Sequence, residues 1–231
     1  PEGFEAAWMK QGNSVHNVQA NVISITQATE AGTLYDLDTI KQLTKMAHDR
    51  GLIVHMDGAR FANALVSLGC QPAEMSWKIG VDILSFGASK NGCIAAEAVI
   101  IFNDKISKNL QYHRKRSGHL YSKMRFISAQ FDAYLNDNVW WENACHANKM
   151  MMKLFDGLRA IPNVEVLHEP QINMLFLRLS DPEIASLEAD GFNFYRSADP
   201  SGNFCRFVTS YNTDPSHINS LLNSIRKYSN G

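Results

Sequence analysis

The order of predicted elements in the first 90 residues constrains the fold more than any other feature of this chain of 231 residues. A strand-like run at 19–26 precedes a helical stretch in which apolar residues recur every three or four positions. A buried strand at 52–56, a helix at 59–68 and a further strand at 81–86 follow. Because strand, helix, strand is the order of a right-handed parallel crossover, the sequence predicts an α/β fold with a parallel sheet.

The next connection is too short for another helical crossover. Few residues separate the strand at 81–86 from the apolar run at 97–102, whereas parallel strands need a dozen or more. This pair is therefore predicted to be antiparallel, which gives a mostly parallel sheet with one antiparallel member. Helices are predicted from 104 to about 160, with breaks near 117–118 and 136–138.

A smaller α/β domain is predicted to begin near residue 136. The first residues lack an initiator Met, so we expect residues 1–135 to be the C-terminal part of a larger domain and 136–231 to be the small C-terminal domain. The strand-like runs and helix starts that mark the small domain are 163–168, 172–179, 204–209, Asp181 and Asp214.

Composition excludes several classes of function. The net charge is −1, which gives no electrostatic reason to expect a nucleic acid or an acidic membrane as partner. We interpret the basic run 113–116 as a solvated helix face. No apolar stretch approaches the ~18 residues of a membrane span, and no signal peptide is visible. The four cysteines form no CxxC pair and match no zinc pattern, which favours reduced thiols in the cytoplasm and no metal site.

An acid and a lysine directly follow two of the predicted strands. Asp57 lies in His-Met-Asp-Gly-Ala-Arg at 55–60, and Lys90 lies in Ser-Phe-Gly-Ala-Ser-Lys-Asn-Gly at 85–92. Open α/β sheets bind ligands at the carboxyl ends of their strands, so both side chains are expected at the ligand edge. An amine that forms a Schiff base and an acid that protonates a pyridine nitrogen are what a protein contributes to pyridoxal phosphate chemistry. The structural alternatives are an exposed turn for Lys90 and a helix cap for Asp57.

Two arginines and a histidine are further candidates. Arg60 lies three residues past Asp57, where it either forms a surface salt bridge or makes a forked contact with an amino-acid carboxylate. Arg206 lies between apolar residues in a predicted strand and therefore needs a partner, either a structural carboxylate or the substrate carboxylate. His55 alternates with apolar residues, which favours a hydrogen-bonded core histidine over a metal ligand.

Several long motifs resemble the threonine aldolase and β-eliminating lyase family of fold-type I pyridoxal phosphate enzymes. The resemblance is strongest to the bacterial low-specificity L-threonine, or phenylserine, aldolases, and it covers about the last two-thirds of a family chain. The motifs are 25–30, 32–33, 55–64, 68–70, 81–92, 96–98 and 122–126.

The resemblance implies a role for each candidate residue. Lys90 would bind pyridoxal 5'-phosphate covalently, and Asp57 would pair with its pyridine nitrogen. Arg60 and Arg206 would bind the substrate carboxylate, and Arg60 would also contribute to cofactor binding. Arg125 would approach the cofactor phosphate from a neighbouring subunit. The implied protein is a cytoplasmic homo-oligomer, a dimer or tetramer with shared sites, whose mostly parallel sheet has helices on both faces.

The implied reaction is retro-aldol cleavage of L-threonine, allo-threonine or a related β-hydroxy-α-amino acid to glycine and an aldehyde. The alternatives are another pyridoxal phosphate lyase or a racemase on the same site, and an inactive truncated chain that acts as a scaffold. Many family members have a histidine where this chain reads Gln27-Ala-Thr-Glu30. The base that takes the hydroxyl proton is therefore Glu30, Thr29, a water molecule or a group outside this chain.

Overall fold

The computed structural model describes residues 1–10 and 14–229. The chain divides into two compact units, and the last division falls between Asn136 and Asp137. The first unit consists of 1–27, 35–61 and 68–136, and the second consists of 28–34, 62–67 and the chain from 137 onward.

The first unit contains a sheet in which strand order follows chain order, β1-β2-β3-β4. The neighbours β1, β2 and β3 are parallel, and β4 runs antiparallel to β3. The predicted mostly parallel sheet, with its single short antiparallel connection, is confirmed. The strands are β1 (Val22–Thr26), β2 (Ile53–Gly58), β3 (Ile83–Gly87) and β4 (Glu97–Ile101).

The predicted helices of the first unit form, a helix at Glu2–Lys10 was not predicted, and the long helical stretch after β4 is broken more often than predicted. The basic run 113–116 lies exposed on one of these helices. The helices are α1 (Glu2–Lys10), α2 (Leu37–His48), α3 (Phe61–Leu68, of which 62–67 belong to the second unit), α4 (Asp104–Ser107), α5 (Leu110–Arg116) and α6 (Arg125–Leu135).

Helix α2 shows why the local sequence folds as predicted. The Asp36 carboxylate accepts a hydrogen bond from the Thr39 N–H at 2.6 Å and so caps the amino end. Apolar residues at helical spacing, Ile40, Leu43 and Ala47, are buried. The turn after the helix ends at Gly51, whose φ of 72° favours glycine.

The two faces of this sheet differ in polarity. Val54, Met56 and Leu84 are almost completely buried, and each buried side chain of this size contributes about 1.5–3 kcal/mol. The residues between them, such as His55 and Ser85, are half-buried and belong to the opposite face. Because the apolar face is buried, the side chains of β2 and β3 that can contact a ligand are those on the polar face.

Asp82 organises the edge of the sheet opposite the strand ends that carry Asp57 and Lys90. Its carboxylate accepts hydrogen bonds from the Val54 N–H at 2.8 Å, His48 Nε2 at 2.9 Å and Asn103 Nδ2 at 2.8 Å. Burial alone would raise the pKa of Asp82, but these hydrogen bonds outweigh it, so the pKa lies below its ordinary value.

The second unit packs helices against an antiparallel sheet in the order β5-β6-β8-β7. Its core comes from three helices and from β6 and β8. The strand predicted at 163–168 is only two residues long, and β7 was not predicted. The elements are α7 (Val139–Arg159), β5 (Glu165–Val166), β6 (Met174–Arg178), α8 (Asp181–Ala189), β7 (Tyr195–Asp199), β8 (Gly202–Val208) and α9 (Pro215–Ser229).

Candidate active site

Asp57 lies at the carboxyl end of β2, on the polar face of the sheet. It is half-buried, and its Oδ1 accepts a hydrogen bond from the Ala59 N–H at 2.9 Å. The Gln27 N–H at the end of β1 donates to the Asp57 carbonyl oxygen at 2.9 Å. This bond closes the turn before α3, which begins at Phe61, rather than capping the helix as the structural alternative predicted. It fixes the direction of the carboxylate at the edge of the sheet.

Lys90 follows the neighbouring strand and reaches the same edge. Asp57 pairs with Ser85 in the parallel register of β2 and β3, and Gly58 pairs with Phe86. After β3, residues Ser89–Asn91 form a single 3₁₀ turn that leaves the Lys90 side chain exposed. The structure thus brings the predicted acid and amine to the ends of adjacent parallel strands.

Two glycines let these strand ends approach each other. A Cβ atom on Gly58 would lie 2.8 Å from the Ser85 carbonyl oxygen, and one on Gly87 would lie 2.9 Å from Ala59 Cα. Contacts this short are essentially never seen for a real Cβ atom. Close packing of the Asp57 turn against the end of β3 therefore requires glycine at both positions.

His55 joins three strands on the same face of the sheet as Asp57. Its Nδ1 lies 2.8 Å from Ser24 Oγ on β1, and its Nε2 lies 2.8 Å from Ser85 Oγ on β3. Both ring nitrogens thus have hydroxyl partners, which agrees with the structural interpretation of this histidine. Alternation along β1 and β3 could have placed both serines on this face, but their register with His55 is not readable from the sequence.

The segment after β1, in which many threonine aldolases have a histidine, is an internally bonded loop. The Thr29 and Thr33 hydroxyls lie 2.7 Å apart, and the Thr29 N–H donates to the Thr33 carbonyl oxygen at 2.9 Å. Glu30 is exposed on this loop. The Thr29 hydroxyl is therefore committed to the loop itself, whereas the Glu30 carboxylate faces solvent.

Arg60 and Arg125 belong to the same unit as Lys90. Arg60 is half-buried in the turn that carries Asp57. Arg125 is the exposed first residue of α6, with its guanidinium carbon 4.9 Å from the centroid of the Phe126 ring. The roles predicted for both arginines remain predictions.

Arg206 lies in the second unit, in the middle of β8. Its guanidinium carbon is 4.5 Å from the ring centroid of Tyr195 on β7, a cation–π distance. Its Nε is buried and has no hydrogen-bond partner among the described residues. An unpartnered buried donor costs about 1–3 kcal/mol, and the role predicted for Arg206 remains a prediction.

The described part of the chain forms neither a metal site nor a membrane-spanning helix. Within residues 1–10 and 14–229, no group of three or more His, Cys, Asp and Glu side chains could hold a metal ion. The cysteines Cys70, Cys93, Cys145 and Cys205 are free thiols. None of the helices in the described residues is both long and apolar enough to cross a membrane.

Comparison with known protein families assigns the chain to one of them. The model of a family described as beta-eliminating lyase matches residues 1–181. The chain belongs to the beta-eliminating lyase family. The family resemblance inferred from the motifs is thereby confirmed.

Two relatives of this chain have the same name. The low specificity L-threonine aldolase of Pseudomonas aeruginosa is 41% identical over 212 residues, which cover 92% of this chain and 61% of that protein. The low specificity L-threonine aldolase of Escherichia coli is 25% identical over 175 residues, which cover 76% of this chain and 50% of that protein. The chain thus spans about half to three-fifths of the length of these relatives.

A solved structure supports the fold class. The threonine aldolase of Leishmania major superimposes with a TM-score of 0.89 and 28% sequence identity, over 98% of this chain and 66% of that chain. The predicted α/β fold of fold type I is confirmed by this likeness and by the mostly parallel sheet of the first unit.

Proposed function

We propose that this chain belongs to a pyridoxal phosphate-dependent aldolase. The proposed enzyme cleaves L-threonine, allo-threonine or related β-hydroxy-α-amino acids to glycine and an aldehyde. The observation that carries the proposal is the placement of Asp57 and Lys90 at the ends of adjacent parallel strands. The names of the relatives from Pseudomonas aeruginosa and Leishmania major support the substrate class.

The residues at the sheet edge fit pyridoxal phosphate. This cofactor requires an amine to which it can be linked and an acid that holds its ring nitrogen protonated. Lys90 is exposed on its turn, and Asp57 is held by the Ala59 N–H. Gly58 and Gly87 place no side chain between the two turns. When bound, the cofactor supplies an electron sink for the pair released from the breaking Cα–Cβ bond.

The chain's own residues bind and orient the reactants in this proposal. Lys90 provides the amine that links the cofactor, and Asp57 holds the proton on the pyridine nitrogen. Arg60 and Arg206 are proposed to bind the substrate carboxylate through their forked donors, which orients the bond to be broken. Arg125 is proposed to bind the cofactor phosphate of a neighbouring subunit.

A base must also take the proton of the β-hydroxyl group. Because the Thr29 hydroxyl is bonded within its loop, Glu30 is the stronger candidate of the two within this chain. A carboxylate can serve as general base when it lies within hydrogen-bond reach of the hydroxyl proton. Removing this base should lower the rate of cleavage while leaving Lys90 able to bind the cofactor.

Assembly and location are part of the same proposal. We infer that the protein is cytoplasmic and acts as a homo-oligomer, a dimer or tetramer with shared sites. The domain assignment is proposed likewise, with residues 1–135 in the large cofactor-binding domain and 136–231 in the small one. Size-exclusion chromatography with light scattering tests the assembly, and a monomer at micromolar concentration would contradict it.

The test of the proposed reaction is identification of its products. Purified protein with added pyridoxal phosphate is incubated with L-threonine or L-allo-threonine, and Lys90→Ala serves as the inactive control. Glycine and acetaldehyde in equal amounts are the expected products. A 2-oxo acid would instead indicate another lyase, and a D-amino acid would indicate a racemase. No turnover by a chain that binds the cofactor would favour the inactive scaffold.

A further inference from the structure

Lys90 lies in a loop whose two ends are closed by hydrogen bonds. This segment, Ala88–Ala96, connects β3 to β4. The Ala88 N–H donates to the Ala96 carbonyl oxygen at 3.0 Å, and the Ala96 N–H donates to Ser89 Oγ at 3.0 Å. These contacts close the loop, but they do not fix the direction of the turn that carries the lysine.

A buried hydrogen bond next to Lys90 fixes that direction. The side-chain Nδ2 of Asn91 donates to the Tyr134 hydroxyl on α6 at 2.7 Å, and both residues are only 3% exposed. Burial raises the pKa of Tyr134 to about 12. The phenol therefore stays neutral at working pH, and its oxygen remains a constant acceptor for Asn91.

Helix α6 holds the same loop at a second point. Gln130 lies one helical turn before Tyr134, and its Oε1 accepts hydrogen bonds from the Ile94 N–H at 3.0 Å and the Ala95 N–H at 3.1 Å. The Phe86 ring, at the end of β3, lies 6.3 Å from the Tyr134 ring. The helix thus packs against both the strand and the loop that carry the lysine.

We propose that Tyr134 is a positioning residue for Lys90. Its hydroxyl holds the Asn91 side chain in the protein interior, and the adjacent Lys90 on the same 3₁₀ turn is thereby directed outward at the ligand edge. Without the hydroxyl, the turn loses this buried hydrogen bond to α6, which is costly. The turn then shifts relative to α6 and displaces the lysine amine.

This inference rests on the proposed function, because it concerns the reactivity of Lys90 toward a carbonyl cofactor. The test is therefore a labelling experiment rather than an activity assay. Purified protein is treated with pyridoxal phosphate and cyanoborohydride, and pyridoxyl-modified peptides are followed over time by mass spectrometry. The labelling rate of Lys90 is compared with that of Lys41, an exposed lysine on α2, in the same sample.

Tyr134→Phe is the informative variant, and Tyr112→Phe is the matched control at an exposed tyrosine. A displacement of the amine by a fraction of an ångström is expected to slow labelling of Lys90 about tenfold. Labelling of Lys41 should not change in either variant. A role confined to stability would lower the melting temperature of Tyr134→Phe and leave Lys90 labelling at the wild-type rate, which would overturn the proposal.

A double-mutant cycle shows whether the two residues act as one contact. The Asn91→Ala variant and the combined variant with Tyr134→Phe should both label Lys90 about as slowly as Tyr134→Phe alone. Independent losses that multiply to about 100-fold would contradict the proposal. If Tyr134→Phe fails to fold, Asn91→Ala carries the test, and a wild-type rate in it is the contradicting result.

The wild-type sample separates this inference from the proposed function. If wild-type Lys90 is labelled no faster than Lys41, the proposed cofactor site is wrong. If wild-type Lys90 is labelled selectively and Tyr134→Phe retains that selectivity, only the positioning role of Tyr134 is wrong.

Discussion

Replacing Gly87 by Ala is expected to separate the two turns that carry Asp57 and Lys90. The new Cβ atom would lie 2.9 Å from Ala59 Cα, 3.0 Å from the Ala59 carbonyl oxygen and 2.9 Å from Glu97 Oε2. The Glu97 side chain can move away, but the backbone of Ala59 cannot move without displacing the Asp57 turn. The substitution therefore acts directly on the close approach of β2 and β3.

The size of the effect follows from these distances. An ordinary Cβ contact begins near 3.4 Å, so the Ala59 backbone must move by about 3.4 − 2.9 = 0.5 Å. Overpacking of this kind costs about 1–3 kcal/mol, which corresponds to a fall in melting temperature of about 2–12 °C for a chain of this size. A 1 Å misplacement of reacting groups costs up to about 100-fold in rate, so half that distance predicts about a tenfold loss.

The assay combines a melting curve with the rate of glycine formation from L-threonine. Gly3→Ala is the control, because a Cβ atom at Gly3 on α1 meets nothing within 4 Å. Alanine is favoured over glycine in a helix by about 1 kcal/mol, so this control should melt at or slightly above the wild-type temperature. A Gly87→Ala variant with wild-type stability and rate would refute the described contact between the strand ends.

Three further substitutions test other parts of the structure. Asp82→Ala leaves the Val54 N–H without its acceptor and should lower the free energy of unfolding by about 2–3 kcal/mol, measured by denaturant unfolding. Because the folded-state pKa of Asp82 is lowered, the stability difference between wild type and Asp82→Ala should be complete above the ordinary pKa near 3.8. The difference should shrink as the pH falls below 3.8 and through the folded-state pKa. A stability difference that persists unchanged at such low pH would contradict the assigned hydrogen bonds. Asp57→Asn keeps an oxygen for the Ala59 N–H and should melt like wild type, yet it should lose about 100- to 1,000-fold in turnover, the range found when one oxyanion-hole donor is removed from an enzyme. Arg206→Lys keeps the positive charge but not the forked donors, so steady-state kinetics should show KM for L-threonine raised by at least about tenfold, and an unchanged KM would exclude Arg206 from the substrate site.

The fold of the first unit was predictable because the spacing of apolar residues differs clearly between its strands and its helices. Apolar runs gave β2 and β3, and the short connection after β3 gave the antiparallel direction of β4. In the second unit, β7 (Tyr195–Asp199) was missed because all of its residues are exposed, so no apolar alternation marks it. The strand predicted at 163–168 shrinks to Glu165–Val166, since pairing with β6 extends over only those two residues.

The candidate site was predictable only where it depends on strand ends. Asp57 and Lys90 each follow an apolar strand directly, so a parallel sheet brings them to one edge whatever the rest of the chain does. The bond between Asn91 and Tyr134 joins residues 43 positions apart and depends on how α6 packs, which no local pattern encodes. The contacts of His55 with two serines depend in the same way on strand register.

Reductive trapping of the cofactor tests the central claim most directly. The purified protein is incubated with pyridoxal phosphate, treated with borohydride and digested, and the modified peptide is identified by mass spectrometry. The account predicts one major pyridoxyl group, on Lys90, and its loss in Lys90→Ala. Modification spread evenly over exposed lysines, or the absence of any adduct with excess cofactor, would contradict the assignment of Lys90 as the cofactor lysine of this chain.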